Sequence, residues 1–316
     1  MKNFNKFWTK YGILMILVLL VIILGILSPN YFLTKSNLIQ VFLQSSITIV
    51  VACGEFFTIL IAGIDLSVGS IMALVGIIAG KLLITGINPI VVILISLILG
   101  IMLGLINGFL VNKTGLHPFI ITLGTQSIFR GITLIISDAR SVFGFPIAFN
   151  QGLAGYLGRT IPIPVIIALS LSGILAFFTN YCKAGRNIYA LGGNKTSAWY
   201  SGINVSLYTL IVFMISGFCS GLGGILTTAR LGAAEPLTGV GFESTAIAAT
   251  IIGGTSFFGG KGKISGVIVG GLIIGVIGNG MNILSISAFY QQIVMGSLII
   301  VSVFFDRLVG LLKSNK

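Results

Sequence analysis

Two carboxylates, Glu55 and Asp65, are the acidic residues closest to apolar surroundings in this chain. An ionisable group inside a membrane is costly and by default marks a functional site. A proton- or cation-coupled carrier would need one of these two. The ordinary alternatives are that Glu55 pairs with a neighbouring helix and that Asp65 caps the helix after it, with Ser67 nearby. Arg130 stands oddly inside an apolar run, where it either partners one of the acids or snorkels to the membrane edge. Gln44, Asn107, Gln126, Asn279, Asn282, Gln291 and Gln292 supply uncharged polar side chains at depth. A hydroxylated, uncharged solute needs amide partners of this kind. Glu55, Asn107, Gln126, Asn279, Asn282 and Gln291 are therefore the candidate pathway-lining residues, although interhelical hydrogen bonding explains any one amide equally well.

Other chemistry finds no residues to run it. Cys53, Cys182 and Cys219 lie in or beside apolar runs without metal-ligand spacing, which argues against a disulfide or a metal site. The lone His117, beside Pro118, reads as a helix cap or packing residue. The stretch GGTSFFGGKGK at 253–263 invites comparison with a phosphate loop. The match fails, because neither Lys261 nor Lys263 is preceded by Gly at the required offset with Ser or Thr after it. If ATP drives this protein, another chain must bind it, and no cofactor is expected here. With no nucleophile and base at workable spacing, an enzymatic role is not expected either.

The elements that must position these residues are apolar. Hydrophobic residues make up 56% of the 316 residues, charged residues 8%, and mean hydropathy is +1.12. Such a chain cannot surround itself with a solvated surface and reads as an all-α, polytopic membrane protein. At about 20 residues per span, about ten spans fit. The apolar runs are 11–27, 37–61, 67–83, 89–111, 117–137, 161–181, 207–229, a weak eighth at 245–258, 264–281 and 288–305. Gly100, Gly104 and Gly108 recur every four residues, as do Gly217 with Gly221, Gly266 with Gly270, and Gly271 with Gly275. That spacing brings helices close. The net charge of +12 comes from residues at span ends and does not indicate nucleic acid. With the N-terminus inside and ten crossings, twelve basic residues flank the cytoplasmic side, among them Lys2, Lys6, Lys10, Lys313 and Lys316. Five (Lys35, Lys81, Arg140, Arg159, Arg230) lie outside. This bias places both termini in the cytoplasm. The first helix has no small-residue cleavage site and reads as retained.

One polar interval stands apart. Residues 182–206, CKAGRNIYALGGNKTSAWYSGINVS, carry Lys183, Arg186 and Lys195, no acid, and two helix-compatible pieces at 187–191 and 197–200. A connector needs only a few residues, so this one reads as a docking element gripped from the cytosol.

Several separated motifs then resemble one family. GIDLSVGS at 63–70, GRNIYALGGN at 185–194, SGI at 201–203, IIGGTSFFGGKGK at 251–263 and NGMNIL at 279–284 resemble the permease subunits of bacterial ABC sugar importers of the ribose and xylose class. Stretches 116–142 and 228–243 are most similar to the D-allose permeases of that class, with ribose the next substrate. The resemblance implies a homodimeric pore of about ten helices per subunit in the cell membrane. It also implies a separate cytoplasmic ATPase that binds the ATP and an extracytoplasmic sugar-binding protein that delivers a monosaccharide. The matching docking-loop residues are Gly185, Arg186, Asn187, Ala190, Gly192, Ser201 and Gly202. The resemblance carries no set of sugar contacts.

Overall fold

The computed structural model describes residues 2–158 and 160–314, with side chains described at 12–158, 160–304, 306 and 307. Lys2, Lys6, Lys10, Arg159, Lys313 and Lys316 of the charge argument fall outside the described side chains. The chain forms α1 (Lys2–Leu27), α2 (Lys35–Leu60), α3 (Val68–Ile84), α4 (Pro89–Thr114) and α5 (Pro118–Ser137). Next come β1 (Val142–Phe143), α6 (Ile147–Ala154), β2 (Tyr156–Leu157), β3 (Ile161–Pro162), α7 (Ile163–Tyr181), α8 (Lys183–Gly193) and α9 (Lys195–Tyr200). It closes with α10 (Val205–Leu231), β4 (Ala233–Ala234), α11 (Phe242–Ile252), α12 (Ile264–Ile283) and α13 (Ala288–Ser314).

Local chemistry sets the helix starts. Thr34 accepts from the Asn37 N–H before α2, and Asn88 from the Ile90 N–H before α4. His117 Nδ1 accepts from the Phe119 N–H, so this histidine is the cap of α5. Pro89 and Pro118 occupy first-turn positions, where a missing N–H costs nothing. Among the described residues, six helices are long and apolar enough to cross a membrane: α2, α4, α5, α7, α10 and α12. Shorter apolar helices cover 12–27, 68–84, 242–252 and 288–304.

α2 is the axis of the bundle. Every residue from Ser45 to Leu60 is buried, against α10, α12, α11 and α7. The glycine spacing does what it predicts. A Cβ at Gly104 would land on the Phe213 carbonyl, and one at Gly217 on the Gly100 carbonyl, so α4 and α10 touch backbone to backbone. Gly266 and Gly270 press α12 against Gly253 and Ala249 at the end of α11 in the same way.

The weak eighth run forms differently from the others. α11 has 11 residues, about 16 Å at 1.5 Å per residue, half of a hydrocarbon core of about 30 Å. The stretch from β4 to Gly241 leads into it as irregular chain, with Gly239 packed on Gly69 at the start of α3. The loop read between 138 and 159 also holds structure. β1 pairs antiparallel with β4, α6 follows, and β2 pairs with β3.

Candidate functional site

Two polar regions interrupt the apolar bundle. The first is the break between α2 and α3, residues 61–67. Asp65 is fully buried there, and its carboxylate takes three donors: the Ser67 N–H at 3.0 Å, Ser67 Oγ at 2.6 Å and Ser216 Oγ at 2.7 Å. Ser216 is near the middle of α10, so the Asp65 part of the break reaches the middle of the bundle, while Ile61 and Ala62 stay at the end of α2. Asn107 of α4 donates to Ser67 Oγ at 2.7 Å, and Thr122 of α5 donates to the Ile64 carbonyl at 3.0 Å. Glu55, one turn and a half before the end of α2, accepts the Asp65 N–H at 3.1 Å through Oε1. Glu55 Oε2 and Asn107 Oδ1 are buried without a partner among the described residues. Four helices thus converge on seven residues of non-helical chain. The chain turns inside the protein because side chains replace the missing backbone partners. Arg130 partners neither acid; its Nη1 donates to the carbonyls of Pro236 (2.6 Å) and Thr238 (2.9 Å).

The second region is the 182–206 interval, folded as α8 and α9. Gly185 and Gly192 turn inward. A Cβ at Gly185 would strike the Phe178 carbonyl and Thr179 at the end of α7, and one at Gly192 would land on the Leu60 carbonyl. Leu60 is the last residue of α2, and its carbonyl also accepts the Gly260 N–H at 2.8 Å. Ile188 and Leu191 are buried beside these contacts. Asn187 donates to Tyr208 Oη at 2.6 Å, and Tyr189 Oη donates to the Gly262 carbonyl at 2.8 Å. Burial pushes the Tyr189 phenol up from its ordinary range, so it stays a donor. Asn194 caps α9 through the Ser197 N–H, Ser201 Oγ donates back to the Ser197 carbonyl, and Gly202 turns the chain at φ +78°.

Outward face Lys183, Arg186, Ala190, Lys195, Trp199 and Tyr200. The last two are 62% and 78% exposed, with rings edge to face at 5.0 Å. Among the described residues, Arg186 reaches only the Tyr181 carbonyl, at 3.3 Å. A cleft of about 660 Å³ opens beside this surface, lined by Ala62, Gly115, His117, Gly192, Asn194 and Ser206. It joins α8 and α9 to the end of α2 and the α4–α5 turn.

The amides picked out as pathway candidates separate. Asn107 belongs to the mid-depth cluster, and Gln126 is half-exposed on α5. Asn279 exchanges two hydrogen bonds with Asn37 across α12 and α2, at 3.0 and 2.8 Å. Asn282 accepts from Gln291 at 2.8 Å, tying α12 to α13. Sequence reasoning did not single out Ser216 as a partner of Asp65, because a serine in an apolar helix carries no signal of what it binds. The exposed Trp199–Tyr200 pair was readable, since adjacent aromatics in a polar interval have no core to fill.

The described residues thus form a bundle of apolar, membrane-length helices with a buried polar break and a basic helical elbow at one end. Residues 37–303 match the family described as the permease component of branched-chain amino acid transport systems, and the chain belongs to that family. It is a multi-pass protein of the cell membrane. It is 59% identical to the D-allose transport system permease protein AlsC of Escherichia coli (strain K12), over 98% of this chain and 94% of that one. It is 40% identical to the ribose import permease protein RbsC of Haemophilus influenzae, over 94% and 93%. It is 35% identical to the L-arabinose transport system permease protein AraH of Escherichia coli (strain K12), over 96% and 92%. No solved structure matches the chain.

Proposed function

We propose that this chain is the membrane-spanning permease subunit of an ATP-driven importer of a monosaccharide, with D-allose as the sugar. The observation that carries the sugar is the 59% identity over nearly the whole length of the D-allose permease, against 40% for the ribose permease. Ribose is the second substrate to test. ATP is bound by a separate cytoplasmic ATPase, a second copy of the chain completes the pore, and an extracytoplasmic binding protein delivers the sugar.

The topology in this reading is about ten crossings, with both termini and the 182–206 elbow in the cytoplasm. Two contacts support it. Ile13 of α1 packs at Gly254, and Asp306 of α13 accepts from Ser256 Oγ at 2.9 Å and the Phe257 N–H at 3.1 Å. Both lie beside the 253–262 turn that α8 touches. The short α11 then completes its crossing with the irregular chain that precedes it.

In this mechanism the ATPase grips the exposed face of α8 and α9. Because Gly192 is seated on Leu60, displacement of the elbow moves the end of α2 and, with it, the break at 61–67. The cluster around Asp65 joins α2, α3, α4 and α10, so tilting any of them rearranges the others and exposes the pathway to one side or the other. A second reading, an ion-coupled carrier, draws on the unpartnered Glu55 oxygen. Uptake of labelled allose, ribose and xylose into membranes, with and without the ATPase, separates the two. Loss of allose uptake on removing the ATPase is expected. Uptake by the chain alone under an imposed ion gradient would replace the importer with the carrier.

A further inference from the structure

The irregular chain at 235–241 presents a problem that a membrane makes acute. Gly239 packs on Gly69, four residues from Asp65, which itself binds the middle of α10. This chain therefore lies near mid-depth. Leu237 and Val240 are nevertheless 63% and 69% exposed, and the N–H groups of Gly239 and Gly241 donate to nothing among the described residues. Non-helical backbone at membrane depth is tolerated only where protein buries it or water reaches it. Lipid cannot be what covers this face.

Arg130 makes the same demand. Two of its five N–H groups hold the Pro236 and Thr238 carbonyls, and the other three donate to nothing among the described residues. A half-exposed guanidinium facing hydrocarbon is expensive. Gln126 lies four residues earlier on α5, on the same side of the helix, and is half-exposed too. Elsewhere the outer surface of α5 is mostly apolar, with Ile120, Ile128 and Ile135 exposed and Ser127 bonded back to the Leu123 carbonyl of its own helix.

We propose that Arg130, Gln126 and the 235–241 chain line the water-filled passage and offer hydrogen bonds to a neutral polyhydroxylated solute crossing it. This rests on the importer reading and names its substrate contacts. Arg130 acts in two directions, fixing the irregular chain through two carbonyls and turning its free donors to the passage. A guanidinium suits a sugar because vicinal hydroxyls can accept from two of its N–H groups at once.

The test places single cysteines at Val240, Leu237 and, as a lipid-facing control, Ile128, in the complete importer with Cys182 replaced by serine. Each is treated in membranes with a membrane-impermeant, positively charged thiol reagent. Val240→Cys and Leu237→Cys are expected to react ~100-fold faster than Ile128→Cys, since a charged reagent is excluded from hydrocarbon by about that factor. Their modification should block uptake, and excess sugar with its binding protein should slow the reaction. Arg130→Gln should lower uptake while the subunits still co-purify. The placement is overturned if both cysteines react no faster than Ile128→Cys, or if they form a disulfide between two copies while remaining inert to the reagent. Unmodified protein run without the ATPase keeps the two readings apart. If that control still takes up sugar, the importer reading has failed. If it does not, and the cysteines are inert, only the placement has.

Discussion

The break at 61–67 and the elbow at 182–206 are both polar interruptions of an apolar bundle, yet their tightest contacts are made by different means. The break is held by side chains: one carboxylate takes three donors, and Asn107 and Thr122 add two more hydrogen bonds from other helices. The elbow's closest contacts come from the absence of side chains, with Gly185 and Gly192 pressed against backbone at the ends of α7 and α2, and the Asn187–Tyr208 and Tyr189–Gly262 hydrogen bonds are added at its flank. A hydrogen-bonded cluster has alternative arrangements of similar energy, so it suits a place where helices must shift. Close glycine packing has a single arrangement, because displacing backbone from backbone leaves a void, so it suits a place where force must pass without loss.

Four measurements would break or sharpen that contrast. The largest effect is expected from Asp65→Ala, which strands three buried donors. It should destabilise the chain by ~4 kcal/mol, read as a lowered melting point in detergent and a poor yield. Next is Gly192→Val, whose side chain must displace the Leu60 carbonyl. A cost of ~2 kcal/mol is expected, together with ATP hydrolysis that no longer tracks sugar uptake in the reconstituted importer. A third is Arg186→Glu, on the exposed face of the elbow. It should weaken co-purification of the ATPase about tenfold and leave the melting point of the isolated chain unchanged; a falling melting point would show that Arg186 is part of the packing. The smallest is Tyr189→Phe, which removes one hydrogen bond to Gly262 and should cost ~1 kcal/mol. If Tyr189→Phe costs more than Asp65→Ala, the division of labour between the two regions is wrong.

Much of this was legible in the residues. The prolines at 89 and 118 and the polar residues before them mark helix starts that the structure reproduces, and the four-residue glycine spacing places the tight contacts of α4 with α10 and α11 with α12. The elbow pieces at 187–191 and 197–200 are helical. What stayed hidden is long-range. Arg130 finds its acceptors 106 and 108 residues further on, on backbone carbonyls that no side-chain pattern reveals. Asn279 meets Asn37 across 242 residues. The two-residue strands have no periodicity to read, and the small-residue run at 245–258 concealed how short α11 is. Within the elbow, glycine and arginine share one motif, yet the structure turns Gly185 and Gly192 inward and leaves Arg186 outside.

The carbonyl of Leu60 is a meeting point for three stretches that are far apart in the chain: the last turn of α2, the Gly192 end of α8 and the turn at Gly260. None of the three can travel alone without opening that junction. Whatever turns α8 must carry the 253–262 segment along, and through it the neighbouring ends of α1 and α13. The moving part at this end of the molecule is therefore a plate of several segments rather than a single lever, and its stroke reaches the outermost helices as directly as the central one.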